Sequence, residues 1–162
     1  MTGRLGADGP IRRSRGVSIT LNYVLVLGIS SVLVTGLIVA GGTFVEDQRD
    51  DVAEGEANVI GTHIAGNIEQ VDRYVEAGNG TETAYVNQTF QPDVSGAPYR
   101  VTLVEPDAST ELARLRIDVQ GSSASVEINV SVRTPVIESQ ADGGAIAVIY
   151  DDDEGGIRIT NA

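Results

Sequence analysis

The chain has 162 residues, 41% hydrophobic and 4% aromatic, with 23 acids against 11 bases and a formal net charge of -12. Every base is arginine and there is no cysteine, which excludes disulfides, a lipidated cysteine and iron–sulfur ligation. So acidic a chain repels phosphate backbones, which excludes a nucleic-acid partner, and its length leaves room for one modest domain.

The charge is unevenly placed. Residues 1–16 carry four arginines and one aspartate, residues 17–45 carry no charge, and residues 46–162 carry seven arginines and 22 acids. Such like-charge excess strains a compact state by self-repulsion. In molar salt the Debye length falls to about 3 Å, which screens that repulsion. The composition suits a protein bathed in concentrated salt.

A short basic leader, 1–16, ends in Arg12-Arg13-Ser14-Arg15-Gly16. The uncharged stretch Val17 to Val45 follows directly. As a helix it extends roughly 43 Å at about 1.5 Å per residue. A bilayer core is about 30 Å thick, so the stretch is predicted to cross a membrane. The flanking arginines stay cytoplasmic and send the remainder outward. A cleaved secretory signal has an apolar stretch of only about 7–15 residues, though Ala40-Gly41-Gly42 is small enough to be a cutting site. Gly28, Gly36 and Ala40 fall near one side of the helix and are predicted to let a second helix approach closely. The hydroxyls of Ser30, Ser31 and Thr35 can bond across helices or to their own carbonyls.

The helix is predicted to continue over 46–78 as an amphipathic segment. Val52, Val59, Ile60, Ile64, Ile68, Val71 and Val75 recur at spacings that mark one helical stripe. Gly55, Gly61 and Gly66 each weaken it by up to about 1 kcal/mol. The stripe must therefore rest on the globular part or on a neighbouring subunit. Gly78-Asn79-Gly80 suits a helix end.

From residue 81 the period becomes two. A first strand holds Ala84-Tyr85-Val86 and ends near Phe90, and Pro92 to Pro98 reads as a loop. Tyr99, Val101 and Leu103 mark a second strand; Leu115, Ile117 and Val119 a third. Val126, Ile128, Val130 and Val132 mark a fourth, joined to the third by a hairpin at Gly121-Ser122-Ser123. Ala145 to Tyr150 and Ile157 with Ile159 complete six strands. The fold class is α+β: a long N-terminal helix, transmembrane then amphipathic, followed by a small antiparallel sheet or sandwich domain over 81–162.

Arg15-Gly16-Val17-Ser18, followed by a long apolar helix, resembles the N-terminus of archaeal type IV pilins and archaellins. With the salt-adapted composition the resemblance is to haloarchaeal pilin-like proteins. It implies a class III signal cut by a prepilin-type peptidase between Gly16 and Val17, with the helix retained. It also implies a structural role as a minor pilin or pseudopilin in a type IV pilus-like or secretion assembly. The implied partners are other pilin-like subunits, that peptidase and an assembly platform with its cytoplasmic ATPase. The implied location is the cell membrane, single-pass, with the C-terminal domain outside and a place in a surface fibre. The residues alone leave an alternative: a single-pass protein whose extracellular β domain never polymerises and binds a surface partner or ligand.

Three N-x-S/T sequons, at Asn79, Asn87 and Asn129, fall on the outward side of that topology and are candidates for N-glycosylation. Asp151 to Gly156 lacks the alternating ligand spacing of a calcium loop and reads as a solvated acidic turn. His63 is the single histidine and has no cysteine or second histidine beside it. No catalytic triad pattern, tuned acid–base pair or phosphate-binding glycine loop is present in the sequence. No metal, cofactor, small-molecule substrate or enzymatic activity is expected.

Overall fold

The computed structural model describes residues 13–78, 80–106 and 112–162, with side chains from Ile19 onward. The chain is α+β. One helix, α1 (Arg13–Ala77), precedes eight strands. They are β1 (Thr83–Thr89), β2 (Asp93–Val94), β3 (Ala97–Val104), β4 (Ala113–Val119), β5 (Ser125–Val130), β6 (Ser139–Asp142), β7 (Ala145–Asp151) and β8 (Gly156–Asn161). Contacts divide the chain into two units, 1–45 and 46–162. Among the described residues the first holds only helix, uncharged from Val17 on; the second holds the rest of α1 and every strand.

No proline occurs between Arg13 and Ala77, so nothing in that stretch removes a helical donor. The helix closes with the Gly78 N–H still bonded to the Tyr74 carbonyl at 3.0 Å.

All strand ladders are antiparallel. One sheet has the order β1-β7-β8, with Val148 opposite both Val86 and Ile159. The other has the order β2-β3-β4-β5, with β6 also against β3. In it Val101 faces Ile117 and Leu103 faces Leu115. The segment 135–142 ties the sheets together. The Ile157 N–H donates to the Pro135 carbonyl at 2.8 Å and the Ile137 N–H to the Ile157 carbonyl at 2.9 Å. Four residues later Ala141 lies opposite Val101 of β3. Alternation puts Ala113, Leu115, Ile117 and Val119 of β4 inward, while Arg114, Arg116 and Asp118 turn outward. Tyr99, Leu103, Ile146, Ile157 and Ile159 join that buried cluster, together with Ile64, Ile68 and Val71 of α1.

Three expectations need correction. The buried stripe of α1 runs through Ala53, Ala57, Gly61, Ile64, Ile68 and Val71. Val52 and Val59 lie off it, 49% and 58% exposed. The contact face starts on small residues because the backbone comes close to the sheet there. A Cβ at Gly61 would sit 2.5 Å from Ile128 Cδ1 and 2.9 Å from Ile117 Cδ1. Gly61 is thus a contact position rather than a mere weakness. Second, the stretch from Pro92 to Pro98 contains a tight hairpin. Val94 pairs with Ala97 across Ser95-Gly96, whose φ angles of 49° and 78° fit a two-residue turn of the kind hairpins favour. Third, there are eight strands rather than six, β2 and β6 being the additions.

Gly61→Val is expected to destabilise the second unit by about 1–3 kcal/mol through overpacking. Gly55→Ala has open space around it and should stabilise by up to about 1 kcal/mol. Urea unfolding of the full chain, followed by tyrosine fluorescence, checks both.

Candidate functional site

From Ile19 to Val45 every described side chain of α1 is exposed. Leu25, Ile29, Leu33, Leu37 and Phe44 are each more than half exposed, and no charge interrupts them. The apolar window reaches a mean hydropathy of 2.4, and α1 is long and apolar enough to cross a membrane. An apolar surface of this extent marks an interaction with a membrane or another protein.

Three hydroxyls of the apolar stretch bond back to the helix itself. Ser31 donates its hydroxyl to the Leu27 carbonyl at 2.9 Å, Thr35 to the Ser31 carbonyl at 2.9 Å, and Thr43 to the Ala40 carbonyl at 3.0 Å. Those hydroxyl protons are spent within the helix, which suits an environment without water. Gly28 leaves an apolar notch between Val24, Leu25, Ile29, Val32 and Leu33. A Cβ at Gly28 or Gly36 would meet nothing within 4 Å. Gly36 and Ala40 stand one turn apart on the same side. Gly28 lies about 80° round the helix from Gly36, at roughly 3.6 residues per turn. Arg15, Gly16, Val17 and Ser18 fall in the first turns of α1, and their side chains lie outside the described residues, as does the leader up to residue 12.

In the second unit, side chains of α1 hold the loops between strands. Asp50 accepts the Ser122 hydroxyl at 2.6 Å through one carboxylate oxygen and the Ser123 hydroxyl through the other. These bonds hold the Asp50 carboxyl below its ordinary pKa. Glu56 accepts the Ser95 N–H at the tip of the β2–β3 turn, at 2.8 Å. Asn67 donates to Gln88 of β1 at 2.7 Å. The buried Asp72 accepts the N–H groups of Arg133 and Thr134 at 3.2 and 2.8 Å, and Glu76 pairs with the Arg133 guanidinium at 3.1 Å. Nothing in the sequence spacing flags these acids. Their partners lie 39 to 73 residues away along the chain.

His63 is exposed, on the rim of an open groove of about 400 Å³ lined by Glu56, Val59, Ile60, Phe90 and Val94. Among the described residues no three His, Asp or Glu side chains gather as metal ligands. The acidic stretch after Asp151 forms the β7–β8 turn, with Tyr150 donating its hydroxyl to Asp152 at 3.1 Å. That bond pushes the Tyr150 phenol above its ordinary pKa. Asn87 and Asn129 stand exposed on the outer faces of β1 and β5, while Asn79 lies outside the described residues.

The chain matches a family of unknown function, DUF7266, over residues 12–162. No curated protein and no solved structure matches it.

The lowered Asp50 pKa fixes the sign of one pH effect. Its contribution to stability is complete above the ordinary carboxylate pKa and is lost as pH falls through the lowered one. In the Ser122→Ala/Ser123→Ala variant the Asp50 titration midpoint, read from its carboxyl carbon by NMR, should move up towards the ordinary value.

Proposed function

Because the chain belongs to the DUF7266 family, whose role is unknown, we propose its function from its own residues. It is a membrane-anchored, pilin-like structural subunit, a minor pilin or pseudopilin of an archaeal type IV pilus-like or secretion assembly. The observation that carries this reading is the helix. It runs unbroken from Arg13 to Ala77, exposed and uncharged over 19–45, then laid into the core of a β domain beyond residue 53.

The physical basis is an exchange of equals. Lipid tails are as apolar as leucine side chains, so an uncharged helix gains or loses little hydrophobic free energy in passing from bilayer to a bundle of like helices. Close packing then decides, and the notch at Gly28 and the Gly36–Ala40 pair offer places for it. In this reading Arg12, Arg13 and Arg15 hold the leader on the cytoplasmic side, and the acids from Glu46 onward begin the exported part. A prepilin-type peptidase cuts between Gly16 and Val17, and an assembly platform moves the mature chain into the fibre with other pilin-like subunits. The role is structural, with no catalytic step. The large acid excess belongs to a salt-rich exterior of the haloarchaeal kind.

A second reading is favoured by the groove beside His63. There a single-pass protein that never polymerises would bind a surface partner through its β domain.

Intact mass of the chain extracted from its native membrane tests the first reading. A start at Val17 is expected, and Gly16→Asp should retain the full leader. An uncut Met1 start would leave the anchor and remove the fibre role. A start just after Ala40 would mean ordinary secretion instead.

A further inference from the structure

We propose that Asn87 and Asn129 are N-glycosylation sites whose sugars shield the two long open edge strands of the β domain, β1 and β5. The proposal rests on the outward placement of that domain.

The strand order identifies the edges. Among the described strands of six residues or more, β1, β5 and β8 each pair with one strand only, as do the shorter β2 and β6. The far side of β8 is taken by 135–137, through the Val136–Ile157 bridge. The other side of β3 is shared by β2 and β6. An unpaired strand invites a strand from another molecule, and proteins usually guard it with lysine, proline or a bulge. Here the usual guards are on the wrong strands. Arg100, Arg114, Arg116 and Arg158 all sit on β3, β4 and β8, which pair on both sides. β1 reads TAYVNQT, with no charge and no proline, and its Tyr85 is 67% exposed. β5 reads SVEINV, with one charge. Short uncharged segments of high β propensity are those most prone to pair between chains. Yet each of these two edges carries a sequon.

Geometry suits attachment at both. Period-two alternation turns Asn87 and Thr89 to the same outer face, both exposed, opposite the inward Ala84 and Val86. Asn129 is exposed on the outer face of β5, directly across from Arg114. A strand docking alongside β1 or β5 would bring a side chain within about 4.5–5.5 Å of the asparagine Cβ. An attached sugar occupies that space, so lateral pairing is blocked without any change to the core.

The transfer is a substitution at carbon. The donor is an oligosaccharide activated as a lipid phosphate. The asparagine Nδ2 forms a bond to the anomeric carbon, and the bond from that carbon to the phosphate oxygen breaks. The lipid phosphate leaves with the electron pair, and the amide gives up one proton.

The full chain from native membranes, cut after arginine and glutamate, yields Thr83–Arg100 and Ile128–Arg133 as separate carriers of the two asparagines. Both should show added sugar mass. In the Asn87→Gln/Asn129→Gln chain, and equally in Thr89→Val/Ser131→Ala, that mass should be lost. Both variants should then sediment as larger species than the native chain in the same micelles. Bare peptides from a domain that external protease cuts on intact cells would overturn the proposal while leaving the outward placement standing. They would also leave both edges open to strand pairing with a second copy. Bare peptides from a domain shielded from that protease would overturn the placement and the proposal together. Sugar present, with the variants as dispersed as the native chain, would overturn the shielding role.

Discussion

The fold depends on one contact, the small-residue face of α1 against the inner face of β4 and β5. An antiparallel sheet with one apolar face must cover it with something, and here a single helix supplies the cover. Ala53, Ala57 and Gly61 set the close approach, and Ile64, Ile68 and Val71 fill the space beyond. Neither side is sufficient alone. The helix carries Gly55, Gly61 and Gly66, and most helical stability in proteins comes from packing rather than propensity. Polar anchors bracket the contact, with Asp50 on the β4–β5 turn and Asp72 on the segment after β5. These acids accept hydrogen bonds that loop donors would otherwise seek from water. A high acid content therefore has a structural use beyond solubility.

The same helix meets a different requirement over 19–45. There it offers no charge, and the described hydroxyls of Ser31, Thr35 and Thr43 are satisfied internally. Such a surface is stable where water is absent. The proposed life of the protein, first in lipid and then among like helices, asks for a rod acceptable to both. It also asks for a soluble domain that does not associate through its strand edges, since fibre contacts would then compete with sheet pairing. That is why the bare edges of β1 and β5 matter to the account.

Most of the architecture was legible as pattern. The uncharged run announced the apolar helix, and the switch to period two after residue 80 announced the β domain. Tyr99, Val101 and Leu103, like Leu115, Ile117 and Val119, are buried as their alternation implies. The helical stripe holds at Ile64, Ile68 and Val71 and fails at its start, where hydrophobicity favours Val52 and Val59 but close packing favours Ala53, Ala57 and Gly61. β6 gives no alternating signal because Ser139-Gln140-Ala141-Asp142 buries only Ala141. The Ser95-Gly96 hairpin was hidden between two prolines. At the candidate site, the apolar run and the sequons could be read directly. The anchoring by Asp50, Glu56 and Asp72 could not, since it joins residues far apart in sequence.

Hydrogen exchange on the full chain in a bilayer tests the central dependence most directly. The account predicts that amides of α1 from Ala53 to Val71 exchange together with those of β3 and β4, as one cooperative unit released only by global opening of the β domain. Exchange of that helical stretch well ahead of the strands would mean that the sheet holds itself together without the helix, and would contradict the account.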